Sequence, residues 1–381
     1  MRTREFRRLL TGVALVSIMA TAACTSEGAG TTEPAPVDVG RPEVTRALDR
    51  LIEIGLPGAQ AVVTDRGRNW TAAAGVGDLE HRTPFPEAAR VRIGSNTKTF
   101  TATVMLQLVA EGKVELDAPV ERYLPGVVRG DGIDAERITI RNLLQHTSGL
   151  PDYADLIPEF TANPLTHYGA DELVRRALTL PAQFQPGAKW NYCNTNYLVA
   201  GAVIERITGS SVEAEITRRI IEPLGLRDTY YPADGDAVLR DPHPSGYAII
   251  DGKRVDITKL DPSAGGAAGA MVGTGADLNR FFTALLAGQL LPPAQLAEMK
   301  RTVPMEVPGP PLSYGLGLMQ RPLSCGKEFW GHGGDIDGFE TRGGVTGDGR
   351  AVTVSVNQIP EAAEATADVM KVVDAALCAT T

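Results

Sequence analysis

Ile93-Gly94-Ser95-Asn96-Thr97-Lys98-Thr99-Phe100 opens the strongest helical pattern in the chain, a run rich in Ala, Val, Leu and Met that Gly112 stops. Ser95 and Lys98 are three residues apart, which puts them one turn apart on the same helix face. Ser95 would also stand at the helix's positive end, where unpaired backbone N–H groups favour developing negative charge. A hydroxyl is a weak nucleophile and needs a base beside it. Lys can be that base only when burial or neighbouring cations lower its pKa. By itself Ser-x-x-Lys is a weak signal, because Ser is also a good helix N-cap.

Working outward, strand-like segments collect at the two ends of the chain. Gln60–Thr64 and Trp70–Ala74 flank Asp65-Arg66-Gly67, and Thr341–Val345 and Ala351–Val356 flank Gly347-Asp348-Gly349, both hairpin patterns. Ser313–Leu318 and Glu328–Trp330 are further strand candidates. Helical patterns cover Val44–Ile54, Ala276–Leu286 and Glu361–Leu377. Between residues 115 and 270 helical segments (Thr139–Leu144, Ala170–Leu178, Asn196–Thr208, Val212–Ile221) alternate with Pro/Gly loops. The expected fold is α/β of the α+β type: an antiparallel sheet built from both chain ends, flanked by helices, with a mainly helical inserted subdomain. The α/β part would comprise 41–114 plus 271–380 and the helical part 115–270. Ser95 would lie at their boundary, where clefts form.

The net charge of −9, with no basic cluster beyond the first residues, argues against a nucleic-acid partner. The five histidines show no metal-ligand spacing and no C-x-x-C is present, so neither a metal nor another cofactor is expected. Arg2, Arg4, Arg7 and Arg8, then the apolar Leu9–Ala20, then Ala22-Ala23-Cys24 read as an export leader over residues 1–23. Small residues before Cys24 resemble a bacterial lipobox, with Thr21 where Leu is usual. Lipidation of Cys24 and simple secretion are the two alternatives, and the membrane would be met only through that anchor. Residues 24–40, rich in Gly, Thr, Ser and Pro, would form a tether to a catalytic domain at 41–380, expected to be a monomer.

Two more stretches bear on Ser95. Tyr192-Cys193-Asn194 precedes a helical run, and Trp330-Gly331-His332-Gly333-Gly334 places a His among glycines. Ser-x-x-Lys, Tyr-x-Asn and His-x-Gly, in that order, resemble the motif set of the penicillin-recognising serine acyltransferases. The branch most similar holds class C β-lactamases and secreted D-alanyl-D-alanine carboxypeptidases. Leu143-Leu144-Gln145-His146-Thr147-Ser148-Gly149-Leu150, Pro186-Gly187 and Tyr314-Gly315-Leu316-Gly317-Leu318 extend the resemblance over roughly residues 45–378.

The resemblance implies roles. Ser95 would be acylated and Lys98 would deprotonate it. Tyr192, phenolate-like beside Lys98, would shuttle the proton to the leaving group. Asn194 would hold the substrate amide. His332, where Lys is more common, would tune the Tyr192–Ser95 proton network, and Gly333 and Gly334 would line the substrate strand. The backbone N–H groups of Ser95 and Asp335 would form an oxyanion hole. Cys325 and Cys378 would pair, leaving Cys193 as a thiol where Ser is usual. His146 reads as a structural loop residue. The implied function is an exported serine hydrolase acting through an acyl-enzyme, first of all a D-Ala-D-Ala carboxypeptidase on peptidoglycan stem peptides.

Two residues depart from that function. Gly333 supplies no hydroxyl, and Asp335 would put a carboxylate where the substrate's own carboxylate docks. Like charges about 4 Å apart repel by roughly 4 kcal/mol at an effective dielectric near 20. An esterase, amidase or D-amino-acid-specific peptidase therefore stands as the alternative, with β-lactamase action beside it. A non-catalytic lipoprotein that only binds peptidoglycan or penicillin is the reading from another class. Small peptide, ester or β-lactam substrates are the partners all but the last would take.

Overall fold

The computed structural model describes residues 41–157, 163–307 and 311–379. The segments expected to be an export leader and a tether, with Cys24, lie outside the described residues. Among the described residues a sheet of nine strands organises the chain. Its strands are β1 (Gly58–Asp65), β2 (Arg68–Gly75), β3 (Val303–Pro304), β4 (Ser313–Tyr314), β5 (Met319–Pro322), β6 (Glu328–Gly331), β7 (Gly334–Ile336), β8 (Phe339–Thr346) and β9 (Ala351–Val356). The spatial order is β2-β1-β9-β8-β6-β5-β4-β3, with β7 also pairing β8, and every pairing is antiparallel. Strands from the early and late parts of the chain therefore pair directly, second and third from the β2 edge: Ala61 of β1 lies opposite Val354 of β9. All six residues of β9 are buried, in keeping with the β-branched and small side chains of Val352-Thr353-Val354-Ser355-Val356.

One face of the sheet is covered by α1 (Pro42–Glu53) and the C-terminal helix, whose Leu48, Leu51, Val369 and Val373 pack against Val63, Val352 and Val354. Cys325, just after β5, is disulfide-bonded to Cys378 at the end of that helix. On the other face lie α2 (Thr97–Ala110) and the helix Gly275–Leu286, where Phe100 stacks on Phe281 with ring centroids 3.7 Å apart. Eleven of the fourteen residues of α2 are buried. A helix apolar on all sides belongs in an interior. Two of its buried threonines reach main chain of distant segments: Thr99 Oγ1 donates to Gly317 O and Thr101 Oγ1 to Ala267 O. α2 is thus bolted to its surroundings by polar contacts as well as packing.

The helical region contains helices at Ala170–Ala177 and Thr195–Thr208. The run over 212–221 is α-helical to Ile216 and widens to a π-helix over Thr217–Ile221. This region also holds two short hairpins, Arg129–Gly130 with Ile133–Asp134 and Tyr247–Ile250 with Lys253–Asp256. Arg129–Gly130 and Lys253–Asp256 are exposed throughout, and none of these short strands carries an apolar alternation for a sequence reading to catch. Ser313–Leu318 is a correction: only Ser313 and Tyr314 are in a strand. The chain then turns through Gly317, at φ +70°. There a Cβ would press into the Ala102 methyl and the carbonyl of Lys98.

Candidate active site

Ser95 lies in a 3₁₀ turn, Gly94–Asn96, that runs straight into α2. Gly94 has φ +48°, and a Cβ there would come within 2.8–3.0 Å of the main chain of Asp335. A Cβ on Gly334 would collide with the carbonyl oxygen of Ile93. The nucleophile turn and strand β7 are therefore backed onto each other through two glycines. This contact brings the Ser95 and Asp335 backbones to the same place, and Asn96 Nδ2 pins it by donating to Thr341 Oγ1 at 2.8 Å.

Lys98 is fully buried. Its Nζ lies 3.0 Å from Ser95 Oγ, 2.8 Å from Asn194 Oδ1 and 2.9 Å from Ala268 O. Burial lowers its pKa from 10.5 to about 7. A neutral amine keeps two N–H bonds and one lone pair. Asn194 Oδ1 and Ala268 O can only accept, so they take the two N–H bonds and the lone pair faces the Ser95 hydroxyl. The geometry suits a base.

Asn194 is committed on both ends of its amide, since its Nδ2 donates to Asp152 Oδ2 at 3.0 Å. Asp152 also accepts from the Asn194 backbone N–H at 2.8 Å, and burial raises its pKa. The Asp152–Asn194–Lys98 chain positions the amine. The sequence reading does not single out Asp152, which lies two residues beyond the Leu143–Leu150 segment.

Tyr192 overlies Lys98, whose Nζ is 4.8 Å from the ring centroid, and its hydroxyl interacts with Ser95. Here the structure corrects the phenolate expectation. Desolvation pushes the Tyr192 pKa well above 10, so the group is a neutral phenol, able to donate a proton. For His332 the expected influence on Tyr192 does not run through a hydrogen bond. The His332 ring lines the cleft with Ser95 and Tyr192, but both ring nitrogens are engaged elsewhere: Nε2 with the Tyr314 hydroxyl at 2.9 Å and Nδ1 with Gly333 O at 2.6 Å. Neither is left for the Ser95–Tyr192 proton network. Burial lowers its pKa to about 3, so it is uncharged.

Asp335 is not a bare charge. Arg342 Nη1 meets its carboxylate at 2.7 Å, and Arg342 Nη2 lies 3.1 Å from buried Glu340. Gly333 makes room for this guanidinium, because a Cβ there would stand 2.9 Å from Arg342 Nη1. The absent hydroxyl and the added acid are thus one arrangement, and the repulsion expected at Asp335 is offset by Arg342. Arg321 borders the same cleft, with its Nη2 3.8 Å from Met319 Sδ.

Two arms meet at Ser95, Asn194 and Asp335. The first, about 360 Å³, holds Tyr192, His332, Arg321 and Arg342. The second, about 250 Å³, is largely apolar, with Tyr153, Ile336 and Ile359 on its walls. A larger cavity of about 590 Å³, between Leu124, Val174, Leu198 and Tyr231, contains none of these reacting groups. Cys193 is buried and free, and burial raises its thiol to about 12, which makes it inert packing. Among the described residues there is no His/Cys/Asp/Glu cluster able to hold a metal, and no helix is long and apolar enough to cross a membrane.

Comparison with known proteins agrees with this geometry. Residues 44–377 match the β-lactamase family. The esterase EstB of Burkholderia gladioli is 31% identical, over 72% of this chain and 79% of its own length. Among solved structures, a D-stereospecific amidohydrolase from Streptomyces sp. superposes with a TM-score of 0.81 at 40% identity, covering 90% of this chain and 99% of that one. The D-amino acid amidase of Ochrobactrum anthropi SV3 gives a TM-score of 0.77 at 28% identity, over 88% and 98%. With Ser95 and Lys98 in contact inside this fold, the chain belongs to the β-lactamase family of serine hydrolases.

Proposed function

We propose that the protein hydrolyses amide or ester bonds on the carbonyl side of a D-amino acid residue, through an acyl-enzyme on Ser95. The observation that carries this reading is the 3.0 Å contact between Ser95 Oγ and a buried Lys98 whose pKa lies at about 7. Lys98 takes the Ser95 proton as Oγ attacks the carbonyl carbon. The resulting oxyanion is held by the backbone N–H groups of Ser95 and Asp335. The neutral Tyr192 hydroxyl protonates the leaving nitrogen or oxygen and recovers a proton from the Lys98 ammonium. Water, deprotonated in turn by Lys98, then releases the acid. The choice of D-amino acid derivatives rests on the likeness to the Streptomyces amidohydrolase and the Ochrobactrum amidase. The apolar second arm, with Ile336 and Ile359, suits an apolar acyl side chain.

The test is steady-state hydrolysis of D- and L-phenylalanine amides and methyl esters, with Ser95→Ala as control. A preference for the D-series of about a hundredfold or more is expected, and equal turnover of both series refutes the reading. A second reading, carboxypeptidase action on D-Ala-D-Ala ends, is favoured by one observation. Arg321 lines the first arm and, among the described residues, forms no ion pair as close as that of Arg342 with Asp335, which leaves its guanidinium for a leaving group that ends in a carboxylate. Comparing a D-Ala-D-Ala peptide with its amide separates the two, because a carboxypeptidase loses turnover when that carboxylate is capped. Export and lipid attachment at Cys24 complete the proposal. Membrane partitioning that disappears in Cys24→Ser is the expected result.

A further inference from the structure

Behind His332 lies a run of buried polar side chains that the mechanism above does not use. The Tyr197 hydroxyl, which donates to Leu144 O, also borders Tyr314, and the distances to the two histidines point to one arrangement of hydrogens. At one end His332 Nδ1 faces Gly333 O at 2.6 Å. A carbonyl oxygen only accepts, so Nδ1 carries the hydrogen and, in a neutral ring, Nε2 is a lone pair. Tyr314 must then donate its hydroxyl proton to His332 Nε2, 2.9 Å away. At the other end the backbone N–H of Cys193 donates to His146 Nδ1 at 3.1 Å. Asn196 Nδ2 approaches the same nitrogen at 3.2 Å, while Asn196 Oδ1 accepts from Ser148 Oγ at 2.6 Å. His146 therefore carries its hydrogen on Nε2, which donates to the Tyr314 oxygen at 3.2 Å. Assigned separately from the two ends, the hydrogens agree at Tyr314.

We propose that Tyr314 and His146 are positioning residues of the hydrolytic reaction: they lock His332 as the uncharged Nδ1–H tautomer and thereby keep Tyr192 a proton donor and Lys98 the base. A cation at His332 would favour a Tyr192 phenolate. Arg321 and Arg342 both act on His332 electrostatically, so a further positive charge there would sit beside two guanidinium cations and the Lys98 amine. Tyr314 opposes that charge by occupying Nε2, the only ring nitrogen on which a second proton could be added. His146 also packs on Tyr192, with ring centroids 4.3 Å apart and planes inclined by 33°. Its backbone has φ +59°, a conformation that costs a non-glycine residue roughly 1 kcal/mol or more. That cost is consistent with a position held for its side chain.

The proposal deepens the acyl-serine reading, yet its first test is independent of activity. In ¹⁵N-histidine-labelled protein, with signals assigned by His332→Gln and His146→Gln, His332 should show Nδ1–H and an unprotonated Nε2. His146 should show the opposite tautomer, and neither should titrate between about pH 5 and pH 8. The reverse tautomer at either ring, or ordinary titration of His332 near 6.5, overturns the proposal. Tyr314→Phe then removes the donor. His332 should change tautomer or begin to titrate above about pH 5, and kcat should fall at least about tenfold with KM within about threefold. A folded Tyr314→Phe protein with unchanged His332 signals and unchanged kcat refutes it. If that variant does not fold, the tautomers of the unaltered protein still decide.

Discussion

Replacing Lys98 by Met removes the amine that the mechanism depends on, and the structure sets how stability should respond to pH. Lys98 is wholly buried, and its pKa drops from 10.5 to about 7 on folding. Between these values the unfolded chain holds a proton that the folded chain has released, so stability must rise with pH across that window. The slope approaches 1.36 kcal/mol per pH unit, and integrating from pH 7, where the folded group is half protonated, to pH 9 gives about 2 kcal/mol. Lys98→Met has no such group. The difference in unfolding free energy, parent minus variant, should therefore grow by about 2 kcal/mol between pH 7 and pH 9 in urea titrations. In parallel, kcat/KM of the parent should rise through an acid limb near pH 7, and the variant should lose a factor of about 10²–10⁴. Parallel stability–pH curves for the two proteins would mean that Lys98 keeps its proton in the fold, and the assignment of Lys98 as base would fail.

Tyr192→Phe keeps the ring over Lys98 and deletes only the proton donor. kcat should drop by about 10²–10⁴ while the urea midpoint stays nearly unchanged, measured with an amide substrate. An ester, whose leaving group needs less protonation, should suffer less. Gly334→Ala should cost about 2–4 kcal/mol and most of the activity, because the new methyl overlaps Ile93 O and forces β7 away from the Ser95 turn; circular dichroism melts and a fluorophosphonate label on Ser95 would read both. Reducing the Cys325–Cys378 bond, which closes a sequence separation of 53 residues, should lower stability by about 4 kcal/mol on the chain-entropy account. Activity below the new melting temperature should remain.

What was legible from sequence was what depends on local spacing. Ser95 and Lys98 share a helix face because three residues make nearly one turn, and that holds wherever the helix is placed. The two hairpins and the apolar helices followed from turn chemistry and periodicity, which are also local. Ser313–Leu318 was misread because alternation cannot register that Gly317 must turn under the Lys98 carbonyl. Charge states and partners were decided by the tertiary structure alone. Asp335 and Arg342 are seven positions apart on different strands, and only the β7–β8 register, with Asp335 opposite Glu340, puts a guanidinium between two carboxylates. Asp152, Asn194 and Lys98 come from three separate segments, so the sequence names an amine but not the burial that lowers its pKa. His332 differs from the more common Lys by one residue type in the sequence. In the fold it is an uncharged ring, because burial disfavours the ion and Tyr314, brought in from a neighbouring strand pair, fills the nitrogen that would carry the charge.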